Sequence, residues 1–410
     1  MLSQDLKSVI RSIFRNRITS SISILGLGIG MGCIIILLAL IIHERSFDTF
    51  IPDHKNLYRI ILGSNSQLHY PLAEAVKGDF PEVKDFFRYY QTNSVQIKTP
   101  ENVIVIGNNF GFADPSLFRI LGIEFISGTP ANSVSEVAIS DESAMTYFGN
   151  LSPLGEVIPV RFPEGFLQLT VSGVYRRFPP NSTLDPSFIT DILLSEKMLM
   201  QFQRSLGDYG YDDNQALGWR DTEFMSMILL GNNSDPDALV SKMDRYKEFF
   251  TNPGQDTLAF KLQPVADIYL GSQDISGNFF LRSGNPRELT YYQVISLLIL
   301  LISLANHILL ARAGMAGKMH EFGTRKVYGA SHGKIRRLII LESLIIVLLS
   351  LVPAFFVIDY GIKFINDTLN KTLSGGIFLM PELWIMLILV VLFTGIISGW
   401  IIGWKYSRIP

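Results

Sequence analysis

The stretch ISILGLGIGMGCIIILLALII, residues 22–42, carries no charged side chain and decides how the rest of this 410-residue chain is read. At 1.5 Å rise per residue, roughly 20 helical residues cross a hydrocarbon core about 30 Å thick, so the run is long enough to span a membrane. Three more apolar runs follow at 294–310, 338–358 and 383–404, all in the last third of the chain. The 294–310 run is the shortest and takes Tyr291 and Tyr292 as its interfacial anchor. Between the first run and the other three lies a long stretch of soluble character. The expected architecture is a membrane protein with four transmembrane α-helices, one plus three, and a large two-lobed α+β domain between the first and second.

Lys and Arg beside the apolar ends set the orientation. Lys7, Arg11, Arg15 and Arg17 precede the first span, and Arg312, Lys318, Arg325, Lys326, Lys334, Arg336 and Arg337 lie between the second and third. Lys405 and Arg408 follow the fourth. The stretch 44–288 has the opposite balance, 20 Lys and Arg against 31 Asp and Glu, hidden within a net charge of −2 for the chain. Basic segments stay in the cytoplasm, which places both termini and the 2–3 loop inside and the large domain outside. The expected organisation is an amphipathic helix on the cytoplasmic surface over 1–17, a span over 18–43, the outer domain over 44–290, and a span over 291–311. A cytoplasmic loop over 312–337 follows, then spans over 338–360 and 383–404 around an outer loop over 361–382, and a cytoplasmic tail over 405–410.

The N-terminal helix rests on a pattern: Leu2, Leu6, Val9, Ile10, Ile13 and Phe14 share one face, with Lys7, Arg11 and Arg15 on another. That suits a helix lying on the membrane, apolar side down. The first apolar run is too long for a secretory signal core and lacks a small-x-small cleavage site, so it reads as a retained anchor.

Several chemistries find no support. Cys33 is the single cysteine, inside the first span, without a disulfide partner. The six histidines show no metal-ligand spacing. Carboxylate neighbours such as Asp212 with Asp213, or Asp141 with Glu142, read as solvated surface. No Gly-x-Ser-x-Gly elbow, His-Glu-x-x-His or phosphate loop is present. No cofactor and no nucleic-acid partner is expected. Gly26, Gly28, Gly30 and Gly32 loosely imitate a dinucleotide loop, with Asp48 at a suitable distance, but that loop must follow a strand in a soluble βαβ unit. Within an unbroken apolar span the Gly-x-x-x-Gly spacing instead fits close helix–helix approach, in the same bundle or with a second copy.

In the outer domain, strands are expected at 57–62, 86–90, 95–98, 103–106, 167–175 and 258–262, with short helices at 71–80, 114–121 and 140–148. Asp114 is placed to cap the second of these helices and Ser140 the third. The membrane-proximal lobe is expected to combine residues near 57–106 and 258–270, with the second lobe inserted between. The stretch 199–254, rich in Asp, Asn and Gly, reads as loops around one or two helices.

The 2–3 loop carries the most distinctive pattern: Glu321-x-Gly323-x-Arg325-Lys326-x-x-Gly329-Ala330-Ser331, with Leu341-Glu342-Ser343 opening the third span. This resembles the E-x-G-x-R-[KR]-x-x-G-A signature of ABC-transporter permeases of the MacB/FtsX/LolC type. Ser140, Ala144, Phe148-Gly149, Pro153-x-Gly155, Val171-x-Gly173-Val174 and Pro180-x-Ser182 resemble the periplasmic core domain of such permeases. The resemblance implies that the 2–3 loop forms a coupling helix, with Glu321, Gly323, Arg325, Lys326, Gly329 and Ala330 as its residues, seated on a separate dimeric ABC ATPase. It implies a bacterial inner-membrane location and a non-enzymatic permease subunit that passes ATP-driven motion to the periplasmic domain for export, extraction or signalling. A second permease chain is expected, because the chain stops just past its fourth span where many relatives carry a second unit. A periplasmic or outer-membrane partner would be the recipient. Phe322, His320 and Tyr328 are bulkier than is usual around the motif. Two other readings stand beside this one: a non-transporting regulator of a periplasmic hydrolase, and a receptor or anchor that needs no ATPase. The few polar groups in the spans, Asn306, His307 and Glu342, are too sparse for an ion pathway, and Asn306 and His307 are expected to bond between helices.

Overall fold

A computed structural model describes residues 2–92, 95–98, 104–107, 109–162, 165–194, 219, 222–250, 258–278, 281–369 and 381–406. The chain divides into two compact units, residues 1–45 with 286–410, and residues 46–285.

The first unit is helical. Helix α1 (Leu2–Arg15) is followed at once by α2 (Arg17–Arg45), and both precede the second unit in the chain. After it come α8 (Pro286–Met315), a short α9 (Met319–Val327), α10 (His332–Leu369) and α11 (Pro381–Tyr406). Helices α2, α8, α10 and α11 are each long and apolar enough to cross a membrane. They run past the apolar windows read from the sequence, α10 by a turn or more at each end, because helical hydrogen bonding continues where apolarity stops. Helix α2 is the most enclosed of the four, and α8 the least. Pro353 lies inside α10, where α2 packs against it, a position tolerated when neighbouring helices cover the disturbed turn.

Helix α1 is amphipathic as its spacing requires. Val9 and Ile13 are buried with Leu338 and Val347 of α10, while Leu6, Ile10 and Phe14 are exposed. Those exposed apolar side chains suit a helix resting on a bilayer.

The second unit is a mixed α/β domain built on one sheet. Its strands are β1 (Leu57–Leu62), β2 (Gln67–His69), β3 (Val83–Thr92), β4 (Val95–Lys98), β5 (Ile104–Gly107), β6 (Phe110–Ala113), β7 (Phe125–Gly128), β8 (Glu136–Ser140), β9 (Val157–Phe162), β10 (Gly165–Tyr175), β11 (Phe188–Asp191), β12 (Thr222–Leu230) and β13 (Phe260–Pro264). They pair in the order β13-β1-β12-β3-β6-β11-β8-β10-β9-β4-β5, with β2 beside β12 and β7 beside β10. Pairing is antiparallel except for β10 with β8 and β11 with β6. Helices α3 (Leu72–Asp79), α4 (Ser116–Leu121), α5 (Asp141–Phe148), α6 (Pro236–Met243) and α7 (Val265–Gly271) complete the domain.

Each end of the sheet has its own core, the sense in which the domain has two lobes. One gathers Ile60, Leu72, Val76, Ile228 and Phe260. The other gathers Ile97, Phe110, Ile139, Val160 and Leu169. This corrects the expected lobe membership: β4 pairs with β9, and β5 forms the far edge of the sheet, so both belong with the inserted strands. The cap at Ser140 forms as expected, its hydroxyl accepting the Ser143 N–H at 3.1 Å. Asp114 does not cap α4. Its carboxylate instead takes the Arg88 guanidinium, Nε to Oδ2 at 3.0 Å and Nη2 to Oδ1 at 2.7 Å. A bidentate pair with a buried arginine outweighs a capping bond worth about 1 kcal/mol. Residues 199–218, 220–221 and 251–254 lie outside the described residues, Asp212 and Asp213 among them. In the rest of 199–254, the helix α6 and a 3-10 helix (Asp244–Phe249) agree with the expectation, whereas β12 is a strand where loops were expected.

Candidate coupling sites

The first candidate site is the loop between α8 and α10. Met315 ends α8, Ala316–Lys318 forms a single 3-10 turn, and α9 carries the signature residues. Helix α9 stops at Tyr328 because Gly329 takes φ +86°, a left-handed conformation open to glycine at little cost. The Gly329 N–H donates to the Lys326 carbonyl at 2.8 Å and the Ala330 N–H to the Arg325 carbonyl at 2.9 Å. These two bonds make a Schellman cap, which gives Gly329-Ala330 a structural reason. Ser331 then accepts the Lys334 N–H and opens α10.

The charges on α9 are tied inward. Glu321 pairs with Arg325 at 2.9 Å, one turn on, and with Arg15 of α1 at 2.7 Å. Partial burial opposes the Glu321 charge, but hydrogen bonds from Arg15 and Arg325 outweigh it and hold the carboxyl below its ordinary value. Arg325 also donates to Ser8 Oγ of α1 at 2.7 Å. Beneath them, the buried Lys318 pairs with Glu342 at 2.5 Å, and Ser12 donates to the same carboxylate oxygen at 3.2 Å. Helix α1 is therefore fastened to the loop by two polar networks. Arg325 is thus a half-buried tie within the chain. Lys326 is likewise half-buried. What α9 leaves open is different. Val327 is 85% exposed and Tyr328 88%, and a Cβ placed on Gly323 would meet nothing within 4 Å. Sequence reading had the bulk of Tyr328 in view but not its exposure.

The second site is the glycine row in α2. A Cβ on Gly28 would lie 2.8 Å from the Ser350 carbonyl oxygen of α10, and one on Gly32 2.7 Å from Val357 Cβ of the same helix. On the opposite side, a Cβ on Gly26 would lie 2.9 Å from Asn306 Nδ2 of α8, and one on Gly30 would overlap Ser303. Alternate glycines thus admit two different helices to the backbone of α2. His307, expected to bond between helices, does not: it is buried and neither ring nitrogen has a hydrogen-bond partner.

The third site is the base of the outer unit, where one loop grips both ends of the chain that lead to membrane helices. The loop joins β10 to β11. Asn181 accepts the Asp48 N–H at its carbonyl at 2.9 Å and donates from Nδ2 to the Ser46 carbonyl at 2.7 Å. Thr183 donates from its backbone to Asp48 Oδ1 at 3.0 Å and from its hydroxyl to Oδ2 at 2.7 Å. On the exit side, Arg282 donates its N–H to the Thr183 carbonyl at 2.9 Å and Nη1 to the Pro180 carbonyl at 3.1 Å, and pairs with Asp185. Phe47 stacks flat on Tyr269 of α7. Burial raises the Asp48 carboxyl to about 6 against hydrogen bonds from Thr183 and Ser182 that lower it. Further up, Arg59 of β1 is fully buried and donates to Gln263, Ser272 and Asn278, fixing the segment that leads to Arg282. Its burial among neutral acceptors lowers its pKa to about 10. Only the Pro180-x-Ser182 pattern hinted at this loop.

The carboxylates Asp141 and Glu142 occupy the first turn of α5 and bind Arg177, by backbone and side chain respectively. Among the described residues no group of three or more His, Cys, Asp or Glu is placed to hold a metal ion.

Four helices long enough to span a membrane, one before and three after a mixed α/β domain in the sequence, define a polytopic membrane protein with a large extramembrane domain. Residues 20–246 match the family described as MacB-like periplasmic core domain, and residues 293–410 the FtsX-like permease C-terminal family. The chain belongs to the MacB/FtsX-type ABC permeases. None of the curated proteins matches it. Among solved structures it is similar to a domain described as that of a permease protein from Porphyromonas gingivalis, at 17% identity and a TM-score of 0.42, covering 52% of this chain and 92% of that one. It is also similar to the periplasmic region of MacB from Actinobacillus actinomycetemcomitans, at 10% identity and 0.37, covering 54% and 92%. The extracellular domain of the noncanonic ABC-type transporter YknZ from Gram-positive bacteria aligns at 12% identity and 0.34, covering 51% and 100%. At these scores the family matches, not the solved structures, carry the assignment.

Proposed function

We propose that this chain is the permease subunit of a mechanotransmission complex in a bacterial inner membrane, with its termini and the α8–α10 loop in the cytoplasm. A separate ATPase dimer docks on α9, and a second permease chain completes the assembly. Motion of the ATPase moves α9, and with it α1 and α10, to which α9 is tied by Glu321, Arg325, Lys318 and Glu342. At the outer end, the Asn181–Asp185 loop receives displacement from the segments on both sides of the outer unit together, because it is bonded to both. The outer domain then acts on a periplasmic or outer-membrane partner in export, extraction or signalling.

The observation that carries this reading is the division of labour on α9: its charges are spent inside the chain, while Val327, Tyr328 and the Gly323 face are uncovered. An exposed tyrosine is the kind of side chain that anchors interfaces. Truncating such an anchor costs roughly 2 kcal/mol or more of binding, about thirtyfold or more. Tyr328→Ala is therefore expected to weaken association with the cognate ATPase by that factor, read by titrating purified ATPase onto the chain in lipid nanodiscs. Unchanged affinity for Tyr328→Ala and Val327→Ala alike would remove α9 as the docking element.

A further inference from the structure

Where α2, α8 and α10 converge near the coupling loop, they leave a cavity of about 30 Å³. Its walls are unusual for a membrane bundle: Ser20 and Ser23 from α2, His307 from α8, Lys318 from the 3-10 turn, and Glu342 and Ser343 from α10. His307 is 1% exposed, and neither Nδ1 nor Nε2 has a hydrogen-bond partner in the protein. A neutral imidazole has one N–H to donate and one lone pair to fill. The flanking helices cannot help, because their backbone groups are spent within each helix. Lys318 and Glu342 are the charged groups among these walls, and they neutralise each other at 2.5 Å. A water needs roughly 10–15 Å³ and two to four polar partners, so the cavity has room for about two.

We propose that this cavity is a hydrated site in which His307 binds water that also contacts Ser20, Ser23 and Ser343 and reaches the Lys318–Glu342 pair. The occupant is water, since about 30 Å³ is too small for an organic ligand. The consequence is a buried histidine in proton exchange with solvent, about two and a half helix turns before Ala316, where the loop between α8 and α10 begins. The inference concerns the bundle alone and stands whether or not an ATPase docks on α9.

Exchange of the imidazole Cε1 hydrogen for deuterium, read by peptide mass spectrometry on the full chain in nanodiscs, reports access of water to each histidine. His320, on the exposed loop, is the internal reference. A hydrated His307 exchanges measurably while His320 exchanges, whereas a dry one stays unexchanged. Ser23→Val and Ser343→Val replace a hydroxyl wall by methyls and are expected to slow His307 about tenfold or more while leaving His320 unchanged. No measurable exchange at wild-type His307, or variants that fold and leave His307 exchange unaltered, would overturn the proposal. The wild-type comparison decides even where a variant does not fold.

Discussion

Asp48 shows how a single residue can set the working range of the outer unit's base. It stands three residues beyond α2 at φ +57°, buried, with Thr183 and Ser182 donating to its carboxylate. Its folded pKa of about 6 lies above the ordinary 3.8, so between those values the folded chain holds the proton more tightly than the unfolded one. The stability it contributes is full below about pH 4 and lost as pH rises through about 6, on the order of 3 kcal/mol in all. Lowering pH from 7 to 5 should therefore firm the base, and Asp48→Asn should flatten that part of the curve. The check is the difference in melting temperature between the two chains across pH 4 to 8; parallel curves would contradict the assignment. None of this was legible in the sequence, where Asp48 figured only as part of a false dinucleotide pattern. Its partner Thr183 lies 135 residues away, and no local signal links the two. Ser140, by contrast, was readable, because a cap and the N–H it binds are three residues apart.

At the scale of elements, helices α2 and α9 use glycine for opposite reasons. Gly30 faces Ser303 so closely that a Cβ would overlap it, and Gly30→Leu should destabilise the bundle by about 1–3 kcal/mol through overpacking. Gly323 faces open space, and Gly323→Ala should stabilise α9 by roughly 0.5–1 kcal/mol through helix propensity alone. Thermal unfolding of the two variants reads the contrast. If Gly30→Leu is not destabilised, the packing account of α2 is wrong. The Gly-x-x-x-Gly spacing announced close approach, but which helix each glycine admits follows only from the assembled bundle. In the same way α9 was visible from its motif, whereas the inward commitment of Arg325 depends on Ser8 and Arg15 of a helix more than 300 residues earlier. The Schellman bonds at Gly329 and Ala330 explain two signature positions without reference to any partner.

At the scale of the molecule, the one-plus-three plan was legible because crossing a membrane demands length and apolarity, both written in consecutive residues. The strand order was not: β4 follows β3 in the chain yet pairs with β9, a choice made by the core around Ile97 and Val160. The orientation proposed from basic loops predicts that a cysteine placed at Ser331 is shielded from an impermeant thiol reagent outside intact cells, while one at Ser133 is labelled. Labelling at Ser331 from outside would invert the topology and with it the coupling scheme. The central claim is the proposal that the chain transmits the work of a separate ATPase. The most direct measurement is mild solubilisation of native membranes, affinity capture of the tagged chain, and quantitative mass spectrometry of what remains bound. The account predicts a P-loop ATPase in near-equal amount to the wild-type chain, depleted when Tyr328 is replaced by alanine. Recovery of a functional wild-type chain with no such ATPase would contradict it.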